Sequence, residues 1–142
     1  MDLEWRVTVL LAALAVGGIG WLLLQRGRGV LRTATVRAAL PTAVAPHAGE
    51  RLTIVQVSSE HCSSCGLGAR VWRKAVAEQP GVTFAEIDAV DHMDLVRDLG
   101  ILTTPTALLY DGAGVLRGRV TGAPTPKAAA DAVATAEVGV SS

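Results

Sequence analysis

One stretch of this chain is too long and too apolar for a small soluble domain to enclose. Residues 7–24 read VTVLLAALAVGGIGWLLL and carry no charge. As a helix they would span ~27 Å, close to the thickness of the hydrocarbon core of a bilayer. Their apolar side chains would cover every face of that helix, and the rest of a 142-residue chain is too small to bury them. The sequence therefore predicts a single-pass membrane anchor over residues 1–25.

A cleavable signal peptide is the competing interpretation of this run. Such a peptide starts with net positive charge, whereas here Asp2 and Glu4 outweigh Arg6. An Ala-x-Ala motif at residues 13–15 lies inside the apolar run, where it does not fit a cleavage site. Both features favour an anchor that is retained in the cell membrane.

The charges on the two sides of the run predict its orientation. Four arginines, Arg26, Arg28, Arg32 and Arg37, follow it, against one before it. By the positive-inside rule, the rest of the chain should face the cytoplasm. Because a short N-terminal tail is able to invert this preference, an extracytoplasmic domain stays the alternative.

Beyond the anchor the pattern indicates a linker and one α/β domain. Residues 26–49 show no clear period and contain Pro41 and Pro46, so we interpret them as a linker, with room for a short edge strand within residues 30–40. Residues 50–142 alternate between short β-branched runs, which predict strands, and apolar residues at helical spacing, which predict helices. The predicted order is a strand at 52–57, a helix after the cysteines, a strand at 82–87, a helix at 91–99, a hairpin of strands at 106–110 and 115–120, and a helix after Thr125.

Charge and motif content argue against several function classes. Thirteen basic residues balance thirteen acidic ones, which removes the electrostatic reason to expect a nucleic-acid partner. The sequence has no nucleotide-binding or flavin-binding fingerprint, so we predict no cofactor. Electrons for a redox reaction would have to come from another protein or from a thiol pool.

The two cysteines of the chain, Cys62 and Cys65, are three residues apart and cannot join distant parts of a fold. They follow the first strand of the domain, so we expect Cys62 where the next helix begins and Cys65 one turn further on. The N–H groups at a helix N-terminus stabilise a thiolate. Cys62 would attack a disulfide of a partner protein, and Cys65 would resolve the mixed disulfide by attacking Cys62. The same steps run backwards oxidise a partner, so the direction stays open.

A partial zinc site is the alternative role for the two cysteines. A structural zinc ion needs four protein ligands. Beyond the cysteines the chain offers only His47, His61 and His92, none of them at finger-like spacing. We therefore predict no metal.

Three segments together resemble the thioredoxin family. They are Cys62-Ser63-Ser64-Cys65 between a strand and a helix, Ile87-Asp88 at the end of a strand, and residues 100–106, GILTTPT. The resemblance runs from about residue 51 to the C-terminus. It implies a thioredoxin fold, with a mixed central sheet flanked by helices, preceded here by one N-terminal transmembrane helix. It also implies a thiol–disulfide oxidoreductase that acts on protein disulfides in electron transport and cell redox homeostasis.

The resemblance implies site residues as well. Pro105 matches the cis proline that faces the dithiol in the family, and it would let an extended substrate segment pair with the chain beside Cys62. A trans proline at the start of an edge strand is the alternative. Gly122 resembles the glycine that flanks the substrate groove, unless it is a plain turn glycine. The implied catalytic residues are Cys62, Cys65 and Pro105, and the implied substrate-binding residues are His61, Ser63, Ser64, Thr104 and Gly122.

The chain departs from the family pattern around the dithiol. His61 stands where many thioredoxins have Trp, Gln56 where they bury an acidic residue, and Phe84 where they bury a lysine. No obvious buried carboxylate is then available to take the proton from Cys65. His61 either substitutes in part, by favouring the thiolate when it is protonated, or is a solvated residue beside the helix start.

Three functions compete. The first is a membrane-anchored disulfide reductase on the cytoplasmic side. The second is an outward-facing oxidase, isomerase or haem-maturation reductase, and the third is a redox-inert adaptor that uses the thioredoxin-like groove to hold a partner.

Overall fold

The computed structural model describes residues 3–26, 29–34 and 38–138, and the structural statements below concern these residues. Arg28 and Arg37, which enter the predicted orientation, lie outside them. So do the last four residues of the predicted domain.

The N-terminal helix α1, Leu3–Arg26, has no buried residue. Near its end, Gln25 lines a cavity together with residues of the domain. Within the described ranges α1 is the single helix long and apolar enough to cross a membrane. The large apolar side chains of α1 are exposed, which is what the predicted membrane anchor requires.

A mixed five-stranded sheet forms the centre of the domain. Its order is β1-β5-β4-β2-β3, in which β2 and β3 are parallel and every other neighbouring pair is antiparallel. The strands are β1 Leu31–Thr33, β2 Leu52–Ser58, β3 Val82–Asp88, β4 Thr106–Asp111 and β5 Leu116–Thr121. The short edge strand that the sequence allowed within residues 30–40 is therefore present as β1, while the limits of the anchor, linker and domain stay predictions.

Helices cover both faces of the sheet and bury its apolar side chains. On one face α2, Cys65–Ala77, and α4, Pro126–Val138, enclose a core around the fully buried Trp72. On the other face α3, Met93–Asp98, and the segments beside it enclose a second core around Tyr110. The predicted mixed sheet flanked by helices is confirmed.

The start of α2 differs from the prediction. The helix begins at Cys65, so Cys62 lies in the turn before it and not at its first residue. The Cys62 N–H donates to the Ser59 carbonyl oxygen and the Cys65 N–H to the Cys62 carbonyl oxygen, over 3.1 and 3.4 Å. Two consecutive turns therefore precede the helix, and they carry Cys62 to the surface above its N-terminus.

Candidate functional site

Cys62 and Cys65 form a disulfide in this structure, with their Cα atoms 5.5 Å apart. Cys62 is half-buried, whereas Cys65 is buried, with 5% of its surface exposed. The Cys62 sulfur also lies 4.0 Å from the Ser64 hydroxyl oxygen. Of the two sulfurs, that of Cys62 is the one a second protein can reach.

The loop that ends in Pro105 packs against the dithiol segment. The Thr104–Pro105 peptide bond is cis, as the resemblance implied. The hydroxyl oxygens of Ser59 and Thr104 are 3.0 Å apart, so a hydrogen bond joins the loop after β2 to the loop before β4. The Pro105 ring is buried beneath the first turn of α2, 3.5 Å from the point that a Cβ on Gly68 would occupy.

Gly122 lies next to this loop and bonds to it. Its N–H donates to the Pro105 carbonyl oxygen over 2.7 Å. Its φ of 85° is in the left-handed region, which favours glycine. Gly122, Ser64 and Thr104 line one open cavity of about 510 Å³, to which Gln25 of α1 also contributes. The structure thus brings three of the predicted substrate-binding residues together.

His61 and Ser63 lie in the turn that carries Cys62, and both are exposed. Their roles in binding a substrate stay predictions. Among the described residues there is no group of three or more His, Cys, Asp or Glu side chains that could hold a metal ion.

The buried side-chain amide of Gln56 lies beneath the dithiol. Gln56 is fully buried, and its Nε2 donates to the Cys65 carbonyl oxygen over 3.0 Å and to the Ser58 hydroxyl over 2.9 Å. The amide orientation follows from its partners, because the Cys65 carbonyl and the nearby Glu86 carboxylate at 3.3 Å only accept. Gln56 Oε1 has no hydrogen-bond partner among the described residues.

Glu86 supplies the carboxylate closest to this network. It pairs in register with Gln56 across β2 and β3, and the Ser58 hydroxyl donates to its Oε1 over 2.7 Å. Arg73 donates to its other oxygen over 3.3 Å and also lies over the Phe84 ring, 5.3 Å from the ring centroid. The Glu86 side chain is 35% exposed, so it differs from a buried acid.

The sequence pattern could not identify Glu86, because its contact with Gln56 depends on the register of two strands thirty residues apart. The one sequence signal for this contact is that Gln56 and Glu86 each lie two residues before the end of their strands, which are neighbours in the sheet.

Comparison with known families identifies the domain. The family model for thioredoxin matches residues 36–135, well over half of the chain. The chain belongs to the thioredoxin family. No curated protein matches it in a sequence search.

Solved thioredoxins share the fold at low sequence identity. Thioredoxin from Malassezia sympodialis is 18% identical, with a TM-score of 0.55 over 76% of this chain and 95% of that one. Thioredoxin f from spinach chloroplast is 25% identical, with a TM-score of 0.55 over 67% of this chain and 84% of that one. A mutant thioredoxin from Halobacterium salinarum is 20% identical, with a TM-score of 0.56 over 67% of this chain and 80% of that one.

A thioredoxin fold with a disulfide-forming Cys62–Cys65 pair supports thiol–disulfide oxidoreductase activity in general, with protein disulfides as the class of substrate. Gln56, at the position where the resemblance implied a buried acid, bonds to the dithiol helix.

Proposed function

We propose that this chain is a membrane-tethered disulfide reductase that acts on proteins through Cys62 and Cys65. The observation that carries the proposal is the Cys62–Cys65 disulfide at the β2–α2 junction of a thioredoxin fold, with Pro105 packed against Gly68 in the first turn of α2. The tether is α1, a 24-residue apolar helix without buried residues.

The reaction begins with the reduced pair. The Cys62 thiolate attacks one sulfur of the partner disulfide, and the other sulfur leaves as a thiolate that takes up a proton. The Cys65 thiolate then attacks the Cys62 sulfur and releases the second partner thiol. Two electrons and two protons pass to the partner, and Cys62 and Cys65 become a disulfide. A thiol pool or another dithiol protein has to reduce them again.

The unequal burial of the two sulfurs supports their separate roles. Cys62 is half-buried and faces the surface, so a partner disulfide can approach it. Cys65 is buried and bonded through its carbonyl oxygen to Gln56, so a partner cannot reach its sulfur directly. Cys62 is therefore assigned as the attacking residue and Cys65 as the resolving residue.

An extended segment of the partner fits beside the dithiol. The cavity is lined by Ser64, whose hydroxyl oxygen lies 4.0 Å from the Cys62 sulfur. Gly122, which also lines it, bonds to the Pro105 carbonyl oxygen. We assign the binding of that segment to this groove, with the exposed His61 and Ser63 at its rim. When an extended peptide pairs with a backbone edge, main-chain hydrogen bonds supply the affinity and therefore allow segments of different sequence to bind.

The proposal includes the side of the membrane that the domain faces and the direction of the exchange reaction. Arg26 and Arg32 follow the uncharged run at residues 7–24, which favours a cytoplasmic domain and hence a reductase. A reporter that functions only outside the cytoplasm, fused to the C-terminus, should be inactive. Strong reporter activity would place the domain outside and favour the oxidase or isomerase.

The test of the chemistry is a redox titration of the full chain in lipid nanodiscs, with the state of the cysteines read by alkylation mass shift. A two-electron transition near ~−270 mV supports the reductase, and one near ~−120 mV favours an oxidant. If no intramolecular disulfide forms in any buffer, the proposed chemistry is wrong. Full function of a Cys62→Ser, Cys65→Ser double variant in a deletion strain would instead assign an adaptor role.

A further inference from the structure

The membrane helix joins the domain at the edge of the sheet that carries the dithiol. The Gly29 N–H donates to the Thr121 carbonyl oxygen over 2.7 Å. Thr121 ends β5 and is followed by Gly122, which bonds to the Pro105 carbonyl oxygen. Because α1 ends at Arg26, only three peptide units separate it from Gly29, and they span at most ~11 Å.

The strand register explains why these features meet. Val57 near the end of β2 pairs with Thr106 at the start of β4, and Thr106 pairs with Thr121 at the end of β5. Leu31, at the start of β1, pairs with Val120. Four strands therefore have an end on the same side of the sheet: β2 and β5 end there, and β1 and β4 start there. We call this row of strand ends the dithiol edge.

A cavity at the dithiol edge also brings side chains of α1 and of the domain together. Gln25, in the last turn of α1, lines the same cavity as Ser64, Thr104 and Gly122. The end of the membrane helix therefore forms part of the wall of the proposed substrate groove.

Exposed apolar side chains concentrate at the same edge. Outside α1, the described residues include six large apolar side chains that are exposed, and five of them surround the dithiol edge. These five form what we call the apolar rim: Val30, Leu67, Val90, Met93 and Leu102. Leu102, three residues before Pro105, is 93% exposed. The sixth, Val138, ends α4 at the far side of the domain.

The opposite edge has a different character. Its cavity is lined by charged side chains that include Glu50, Arg51, Asp111, Arg117 and Glu137. Clustered exposed apolar residues mark interaction sites, whereas charged surfaces face water. The two edges therefore face different surroundings.

We propose that the dithiol edge faces the bilayer surface and that its exchange partner is an integral membrane protein whose reacting cysteines lie at the level of the lipid headgroups. This rests on the proposed function, because it requires both the exchange chemistry and the anchor. The apolar rim contacts the membrane-proximal apolar segment of that partner. The step transfers two electrons and two protons from reduced Cys62 and Cys65 to the partner disulfide.

Size argues against a soluble globular partner. A globular protein of 100 residues has a radius of gyration of ~13 Å. The tether leaves at most ~11 Å between Gly29 and the end of α1. The bilayer therefore hinders the approach of a folded soluble protein to Cys62, whereas a cysteine pair held at the membrane surface lies at the same level as the dithiol.

The test measures how fast the full chain, reduced and held in nanodiscs, reduces two peptide substrates. One peptide has a transmembrane segment and an intramolecular disulfide at headgroup level, and the other is the same disulfide sequence without that segment. We expect reduction of the membrane peptide to be about tenfold faster at equal total concentration, since both reactants share one surface. Equal rates would overturn the inference.

Two variants test the geometry. A 20-residue Gly/Ser insertion between Arg26 and Gly29, with a mean length of ~25 Å, retains the anchor but frees the dithiol from the headgroup level. It should reduce the preference for the membrane peptide severalfold and speed reduction of a folded soluble disulfide protein. Leu102→Ser should slow reduction of the membrane peptide severalfold, whereas the matched Val138→Ser at the far side should not. An unchanged rate in Leu102→Ser would overturn the assignment of the apolar rim to the partner and leave lipid as its contact.

Oxidised glutathione separates this inference from the proposed function. It is small enough to reach Cys62 in either geometry, so its reduction reports the dithiol alone. If it is reduced and the peptide preference is absent, only the membrane-facing edge is wrong. If it is not reduced at all, the exchange chemistry and the inference both fail.

Discussion

The side-chain amide of Gln56 donates to the carbonyl oxygen of Cys65, with 3.0 Å between the nitrogen and the oxygen. This bond connects the middle of the sheet to the first residue of the dithiol helix. Both residues are buried, so the bond is shielded from water and fixes the height of Cys65 above the sheet. The polar group beneath the dithiol therefore has a positioning role in this chain.

Replacing Gln56 by Leu should lower the free energy of unfolding by about 1 to 3 kcal/mol, because the Ser58 hydroxyl and the Cys65 carbonyl lose a buried donor. Thermal unfolding followed by circular dichroism measures the change. Gln79→Leu is the matched control at an exposed site and should change stability by less than about 0.5 kcal/mol. If both substitutions changed the free energy of unfolding equally, the hydrogen bonds of Gln56 would not contribute to stability as proposed.

Two glycines of α2 should respond in opposite ways to alanine. A Cβ at Gly66 meets nothing within 4 Å, so Gly66→Ala should stabilise the helix by about 0.5 to 1 kcal/mol. A Cβ at Gly68 would lie 2.8 Å from the buried Gln56 Oε1, so Gly68→Ala should destabilise the protein by about 1 to 3 kcal/mol. Chemical denaturation measures both. A stabilising Gly68→Ala would mean that Gln56 moves aside freely.

Replacing one cysteine or the other should have different effects on the mixed disulfide with a substrate. Cys65→Ser retains the attacking sulfur but lacks the resolving one, so a mixed disulfide between Cys62 and the substrate should accumulate. Cys62→Ser should form no such adduct, because Cys65 is buried. Non-reducing electrophoresis with a disulfide protein separates the outcomes. An adduct of equal yield in the Cys62→Ser variant would reverse the assigned roles.

Asp111 should make stability depend on pH in the acidic range. Burial raises the pKa of Asp111, but hydrogen bonds from the Val115 N–H and from Arg117 outweigh burial and leave the pKa below its usual value. A carboxyl with a lowered folded pKa contributes stability that is present above the unfolded value of ~3.9 and is lost as pH falls through the folded pKa.

Asp111→Asn should accordingly cost about 1.5 kcal/mol at pH 7 and flatten the loss of stability below pH ~4. Unfolding measured from pH 7 down to pH 2 tests this. Asp131→Asn, which removes an exposed carboxylate paired with Lys127, is the control and should retain the acid dependence. An unchanged acid slope in Asp111→Asn would refute the assignment.

Most of the fold follows from local patterns. Short apolar runs predicted β2 and β3, and the turn at residues 111–114 predicted the hairpin of β4 and β5, in each case to within about one residue at each end of the strand. Thr125 and Pro126 correctly marked the start of α4, where the Ala128 N–H bonds to the Thr125 hydroxyl. These signals act over a few residues and need no knowledge of tertiary contacts.

The start of α2 and the network beneath it could not be predicted in the same way. Whether Cys62 lies inside the helix or in the turn before it depends on competition between turn and helix hydrogen bonds among small polar residues. The contact of Gln56 with Glu86 depends on strand register, which apolar periodicity does not specify residue by residue. Cys62, Cys65 and Pro105 were recognisable because their motifs are local.

The strand β1 also has a consequence for handling the protein without its membrane helix. It covers the outer edge of β5, and the bonds continue beyond the strand, from the Ala34 N–H to the Arg117 carbonyl and from the Leu116 N–H to the Ala38 carbonyl. A fragment trimmed back to Pro46 would leave this edge of β5 open, and open edges recruit strands from other molecules. A soluble fragment that begins at Gly29 keeps the edge covered and should resist aggregation, whereas the shorter one should form oligomers through β5.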